Sequence, residues 1–117
     1  MPNKTLERLK DSHHVIEAYV LLREMKVHLN VGHEGFSPKA EIRIWLGTNT
    51  LYPYSFELSH FVHTPLQEGP YIPSRVDFPS EEEAIDSAIN ALTAFLISAI
   101  KQDLEPADSW LVPNEDF

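Results

Sequence analysis

Residues 80 to 101 read SEEEAIDSAINALTAFLISAIK, and this stretch decides the fold. Ser80 followed by Glu83 is a capping box: the serine oxygen accepts from the Glu83 amide while the glutamate reaches back to the Ser80 amide. Three glutamates in the first turn, Glu81, Glu82 and Glu83, complement the positive end of the helix dipole. At ~100° per residue, Ala84, Ile85, Ala88, Ile89, Leu92, Phe95, Leu96, Ala99 and Ile100 gather on one broad side that belongs on a sheet. Ser87, Ala91, Ala94 and Ser98 form a second stripe made only of small residues, where another backbone could approach closely. A second helix, the N-terminal one or a symmetry mate's, is expected along it.

Upstream of this helix the hydrophobic period changes. Ala40, Ile42, Ile44 and Leu46 alternate with Glu41, Arg43 and Trp45, the repeat of a half-buried strand. The polar connection Gly47 to Thr50 turns the chain back, so the run from Tyr52 to Val62 is expected to return antiparallel, with Tyr54, Phe56 and Leu58 inward and Pro53 at its start. Val27, Leu29 and Val31 alternate in the same way and end at the glycine-bearing turn Gly32 to Pro38. Before them, Leu6, Leu9, His13, Ile16 and Val20 recur at three- and four-residue steps and predict a helix from about Thr5 to Glu24. Because Val15, Ala18, Leu21, Leu22 and Met25 occupy its other sides, that helix must be covered on more than one face or break near Ser12 to His14. The expected fold is α+β, in the order α-β-β-β-α: a three-stranded antiparallel meander packed by an N-terminal and a C-terminal helix. A long loop carrying Pro65, Pro70, Pro73 and Pro79 precedes the last helix, and Tyr71, Ile72, Val76 and Phe78 pin it to the core.

The chain has 117 residues, 43% of them apolar, enough for one domain with its own core. The domain is expected over residues 1–106. Residues 107–117 form an acidic and aromatic tail that docks on its own domain, on a neighbour, or serves as a short linear ligand. Cysteine is absent, which excludes disulfides and thiolate chemistry, and the polar N-terminus does not read as a signal peptide. The apolar stretch Ala84 to Ile100 falls short of the ~20 residues of a membrane span. A cytoplasmic setting, with no membrane partner, is therefore expected. Residues 77 to 117 hold ten acids against Lys101, so the whole formal charge of -9 lies there, while the eight acids and eight bases before them cancel. That field repels phosphate backbones, so no nucleic-acid partner is expected. It suits a basic protein surface or plain solubility.

Chemistry-bearing constellations are sparse. Glu57, His60 and His63 stand three residues apart, a metal-ligand spacing on a helix but not on the expected strand, where successive members point to opposite faces. The six histidines could lower the net negative charge as the pH falls below ~6, making association pH-dependent. Four scattered glycines make no phosphate loop, and no nucleophile elbow occurs, so neither a catalytic residue nor a cofactor is expected. Trp45, Tyr71 and Arg75, with Glu81, Glu82, Asp86, Trp110 and Phe117, have the aromatic, arginine and acidic character of protein-binding residues.

The expected order of helix, three strands and helix is similar to that of the double-stranded RNA-binding domain, and its strand-hairpin-then-helix part resembles antitoxins of the HicB type. The resemblance is one of topology. Where the RNA-binding family opens its second helix with phosphate-contacting lysines, this chain has Glu81, Glu82 and Glu83, so the resemblance implies such a scaffold turned from nucleic acid to protein. The expected function is non-catalytic protein–protein interaction by a small acidic homodimer. The alternatives are an acidic inhibitor or antitoxin-like protein on a basic effector surface, and a histidine-based metal or small-molecule site.

Overall fold

The computed structural model describes residues 3–117. The described residues form an α+β fold, with two α-helices and antiparallel sheets. The first helix, α1 (Lys4–Asp11), is capped by Asn3, whose side chain accepts from the Leu6 amide, and it ends at Ser12. The chain thus leaves the helix at Ser12, within the Ser12 to His14 break that the sequence allowed, rather than running on to Glu24, and residues Tyr19–His28 form strand β1. A bulge hides that strand in the sequence. The pairing register shifts between Leu21 and Arg23, so the half-buried residues are Val20 and Leu22 before it and Met25 and Val27 after it. Steps of two, three and two residues break the alternation that would mark a strand, because an extra residue in a strand moves it by one.

The remaining strands are β2 (Lys39–Gly47), β3 (Tyr54–Leu58), β4 (His60–Val62), β5 (Asp77–Phe78) and β6 (Leu111–Pro113). One sheet has the order β1-β2-β3-β5, and β4 pairs with β6 in a second. The three-strand meander thus gains a fourth strand from the end of the proline-rich loop, and the expected Tyr52–Val62 run divides at Ser59. Gly32 and Gly35 in the β1–β2 connection have φ of 81° and 85°, which side chains with a Cβ rarely adopt. Gly47 lies under a side chain: a Cβ there would come within 2.6 Å of the Tyr19 ring and displace it. Its amide donates to the Pro53 carbonyl at 2.7 Å and closes the β2–β3 turn.

The second helix, α2 (Glu81–Lys101), is capped by Ser80, whose Oγ accepts from the Glu83 amide at 3.2 Å, while its hydroxyl donates to the Glu83 carboxylate at 2.9 Å in place of the expected bond from the Ser80 amide. Its buried residues are Ala84, Ala88, Ala91, Leu92, Leu96 and Ala99, and they pack on β2, β3, β4 and β5. The inner face is rotated from the one read off the wheel: Ile89 and Phe95 are 39% and 38% exposed, while Ala91 joins the core. The small-residue stripe is thereby divided, with Ser87 half-buried and Ala94 and Ser98 exposed, and α1 makes its main contact with β1. By length and composition alone α2, at 21 residues, could cross a membrane, but its apolar inner row is taken up by the sheet.

Ile42 and Ile44 of β2, Phe56 and Leu58 of β3, Val62 of β4 and Leu92 and Leu96 of α2 form the centre of the core. Residues 107–117 lie on their own domain. Trp110 is buried edge-to-face on Phe36 with ring centroids 6.4 Å apart, and Asn114 bonds the Ser59 carbonyl and the Leu58 carbonyl, each at 2.8 Å.

The proline-rich loop is stapled by one side chain. Gln67 accepts from the Thr64 amide at 2.7 Å and donates to the Val62 carbonyl at 2.9 Å, beside the buried Thr64. Replacing Gln67 with alanine is expected to cost about 1–3 kcal/mol, because the Thr64 amide loses its partner and the Val62 carbonyl keeps only its bond from the Tyr71 amide. Denaturant unfolding measures this, and an unchanged midpoint would mean that water substitutes for the amide.

Candidate interaction surface

Helix α2 covers one face of the four-stranded sheet; the other face carries a cross-strand array. Since Ile42 and Ile44 point inward, Glu41, Arg43 and Trp45 point outward, and so do their register partners on the neighbouring strands. One outer row is Glu24, Arg43 and Glu57, with the Arg43 guanidinium 3.6 Å from Glu24 and 3.9 Å from Glu57. Above it, Leu21, Trp45 and Ser55 form a second row, and the Trp45 indole N–H donates to Glu57 at 2.9 Å. Lys26 opposite Glu41 continues the alternation of charge. Phe117 lies against this face, with Arg43 3.8 Å above its ring centroid. Tyr19 and Leu21, 51% and 42% exposed, extend the apolar part towards the strand start. The Tyr19 hydroxyl donates to Glu17, which raises its pKa above the usual tyrosine value.

Strand β1 is an edge strand, and its backbone polarity follows from β2. The Glu41 amide donates to Ser59 Oγ at 2.7 Å and its carbonyl accepts from the Ser59 amide at 3.0 Å, so both groups point towards β3. Alternate residues of an antiparallel strand point opposite ways, so Ala40 and Ile42 face β1 and bond Val27 and Met25. The amide and carbonyl groups of Glu24, Lys26 and His28 consequently point outward. Among the described residues no other segment bonds them. The opposite edge of the sheet, β5, is two residues long.

A second exposed group lies on the outside of α2. Tyr71 and Phe95 have ring centroids 5.1 Å apart, and the neighbouring Ile72 is 62% exposed. Glu82 and Asp86 are exposed on the same helix and form no ion pair among the described residues.

The other residues singled out as binding residues have roles inside the fold. Arg75 stacks on Phe78 and Tyr52, at 4.7 Å and 5.6 Å from their centroids, and bonds the Asp77 carbonyl. Glu81 pairs with Arg23, tying the α2 start to β1 and holding the guanidinium charged. Trp110 is core.

Glu57, His60 and His63 are not brought together: Glu57 holds Trp45 and Arg43, His60 Nδ1 meets Ser59 Oγ at 2.7 Å, and His63 Nε2 meets the Gln67 carbonyl at 3.2 Å. No group of three or more histidine, aspartate or glutamate side chains suited to a metal occurs among the described residues. The Ser59 hydroxyl, buried and engaged by the Glu41 amide and His60, serves the kink between β3 and β4. A shallow cleft of about 400 Å³ beside it is lined by Lys26, His28, Lys39, Glu41 and His60, cationic in balance on an acidic chain.

Tyr19, Glu24, Lys26 and Arg43 were not among the residues singled out from the sequence. Three of the four sit on β1, where the bulge disguised the strand and with it the free edge. No protein-family model matches the chain, and no curated protein or solved structure matches it significantly.

Proposed function

We propose that the protein is a non-catalytic interaction module whose first partner is a second copy of itself. The observation that carries this reading is the free edge of the ten-residue strand β1, beside exposed Tyr19 and Leu21. Long open edges are pairing templates, and natural proteins ordinarily shorten or cover them, as β5 is shortened here. Main-chain hydrogen bonds supply most of the attachment in such pairing, with side-chain rows setting the partner.

Sedimentation over a concentration series tests the reading. A dimer is expected, weakened less than about tenfold between about 0.1 M and 1 M salt, over which the screening length falls from ~10 Å to ~3 Å. A monomer at every concentration would remove self-association.

A second protein ligand is favoured by the acidic start of α2, where Glu82 and Asp86 are exposed, and by Tyr71, which lines one groove with Asp86. That combination fits a partner with an apolar anchor and a basic rim, as an inhibitor or antitoxin-like protein of a basic effector would require. Binding at this face would be steered by charge and would weaken steeply over the same salt range. This response separates it from the self-interface.

A further inference from the structure

We infer that two copies pair antiparallel through β1 across a two-fold axis at Met25, setting Glu24 of each copy opposite the partner's Lys26. The inference rests on the self-association reading and adds to it the element, the register and the residues that select them.

Three constraints lead to this register. Pairing requires residues whose amide and carbonyl groups point out of the edge, and these are Glu24, Lys26 and His28. A two-fold axis perpendicular to a continuous sheet keeps each face on its own side, so outward-facing residues meet outward-facing residues. Both conditions hold for an axis at any residue from Glu24 to His28, but axes at Val27 and His28 set Lys26 opposite His28 or Asn30 and oppose no carboxylate to it, which leaves Glu24, Met25 and Lys26. Charge then discriminates among the three. An axis through Glu24 opposes two carboxylates, and an axis through Lys26 opposes two ammonium groups. An axis at Met25 opposes Glu24 and Lys26 twice, and cross-strand pairs of opposite charge stabilise where like pairs destabilise.

The chosen register also extends an array already present in each copy. The outer row Glu57, Arg43, Glu24 would continue into the partner's Lys26 and the partner's Glu41, with charge alternating at every step. About four main-chain hydrogen bonds form, two for each Glu24–Lys26 pair. The pairing is stopped on one side by the bulge between Leu21 and Arg23, which disrupts the ladder and raises the local twist. The apolar and charged parts of β1 thus have separate uses: Val20, Leu22, Met25 and Val27 serve the fold, and Glu24 and Lys26 serve the edge.

Cross-linking and charge exchange test the register on the full chain. Met25 forms a non-hydrogen-bonded pair with the partner's Met25, with Cα atoms about 4.5 Å apart, inside the range a disulfide spans. Because the chain has no cysteine, Met25→Cys introduces the sole thiol, and mild oxidation is expected to give a covalent dimer on non-reducing gels. Glu24→Cys and Lys26→Cys face a different residue number across the axis and are expected to cross-link far less. Independently, Glu24→Lys or Lys26→Glu alone is expected to raise the dimer dissociation constant by about tenfold, and the double exchange to recover most of the loss. Melting curves confirm that each variant is folded.

If the wild-type chain dimerises but the double exchange recovers nothing and Glu24→Cys cross-links as well as Met25→Cys, the register is overturned while self-association stands. If the wild-type chain sediments as a monomer, both fall together.

Discussion

Replacing Trp110 with alanine is expected to lower the unfolding free energy by about 3–5 kcal/mol, the range for truncating a buried aromatic in a core. Trp110 retains 6% of its exposure and meets Phe36 edge-to-face at 72°, a geometry that adds to simple area burial. Its carbonyl accepts from the His63 amide at 2.8 Å, immediately before β6 pairs with β4. Removing the indole therefore opens a cavity beside Phe36 and loosens the segment that closes the second sheet. For a domain of this size a loss of that order lowers the melting temperature by ~10–20 °C. Thermal unfolding followed by circular dichroism reads it directly. A decrease below about 1 kcal/mol would mean that the surroundings collapse into the space, and that the last residues are separable from the fold.

How much of this architecture is legible in the sequence depends on how local its cause is. Helix α2 is legible because its cap, dipole complement and apolar side all lie within residues 80 to 101, and strand β2 because its alternation is uninterrupted from Ala40 to Leu46. Strand β1 is not, since a bulge is decided by pairing with β2, and its three-residue step from Leu22 to Met25 breaks the alternation that would announce a strand. The β4–β6 sheet is hidden for a related reason. It joins Phe61 to Val112, and nothing near either residue announces the other. The interaction surface inherits both difficulties. Tyr71 and Trp45 were visible as aromatic residues, but the open edge depends on strand order, and strand order emerges only when the chain is folded. Trp110 shows the converse: a residue suited to an interface by type is buried by long-range packing.

Leu92→Ala is expected to cost about 2–5 kcal/mol, and its companion Ala94→Leu to change stability by no more than about 0.5 kcal/mol. Leu92 is fully buried on the inner row of α2, where Ala84, Ala88 and Ala99 are also fully buried. Alanines along that row bring the helix backbone close to the sheet, so few side chains can shift to refill the volume Leu92 leaves. Ala94 is two residues further on and exposed, so a leucine there projects into solvent. The pair separates fold from assembly, because Ala94 lies on the stripe where a symmetry mate's helix would sit if dimerisation used α2. Denaturant unfolding measures the first effect and sedimentation the second. With the two copies joined at β1, Ala94→Leu leaves the dimer intact. A dimer dissolved by Ala94→Leu and indifferent to charge at Glu24 and Lys26 would move the interface from the sheet edge to the helix.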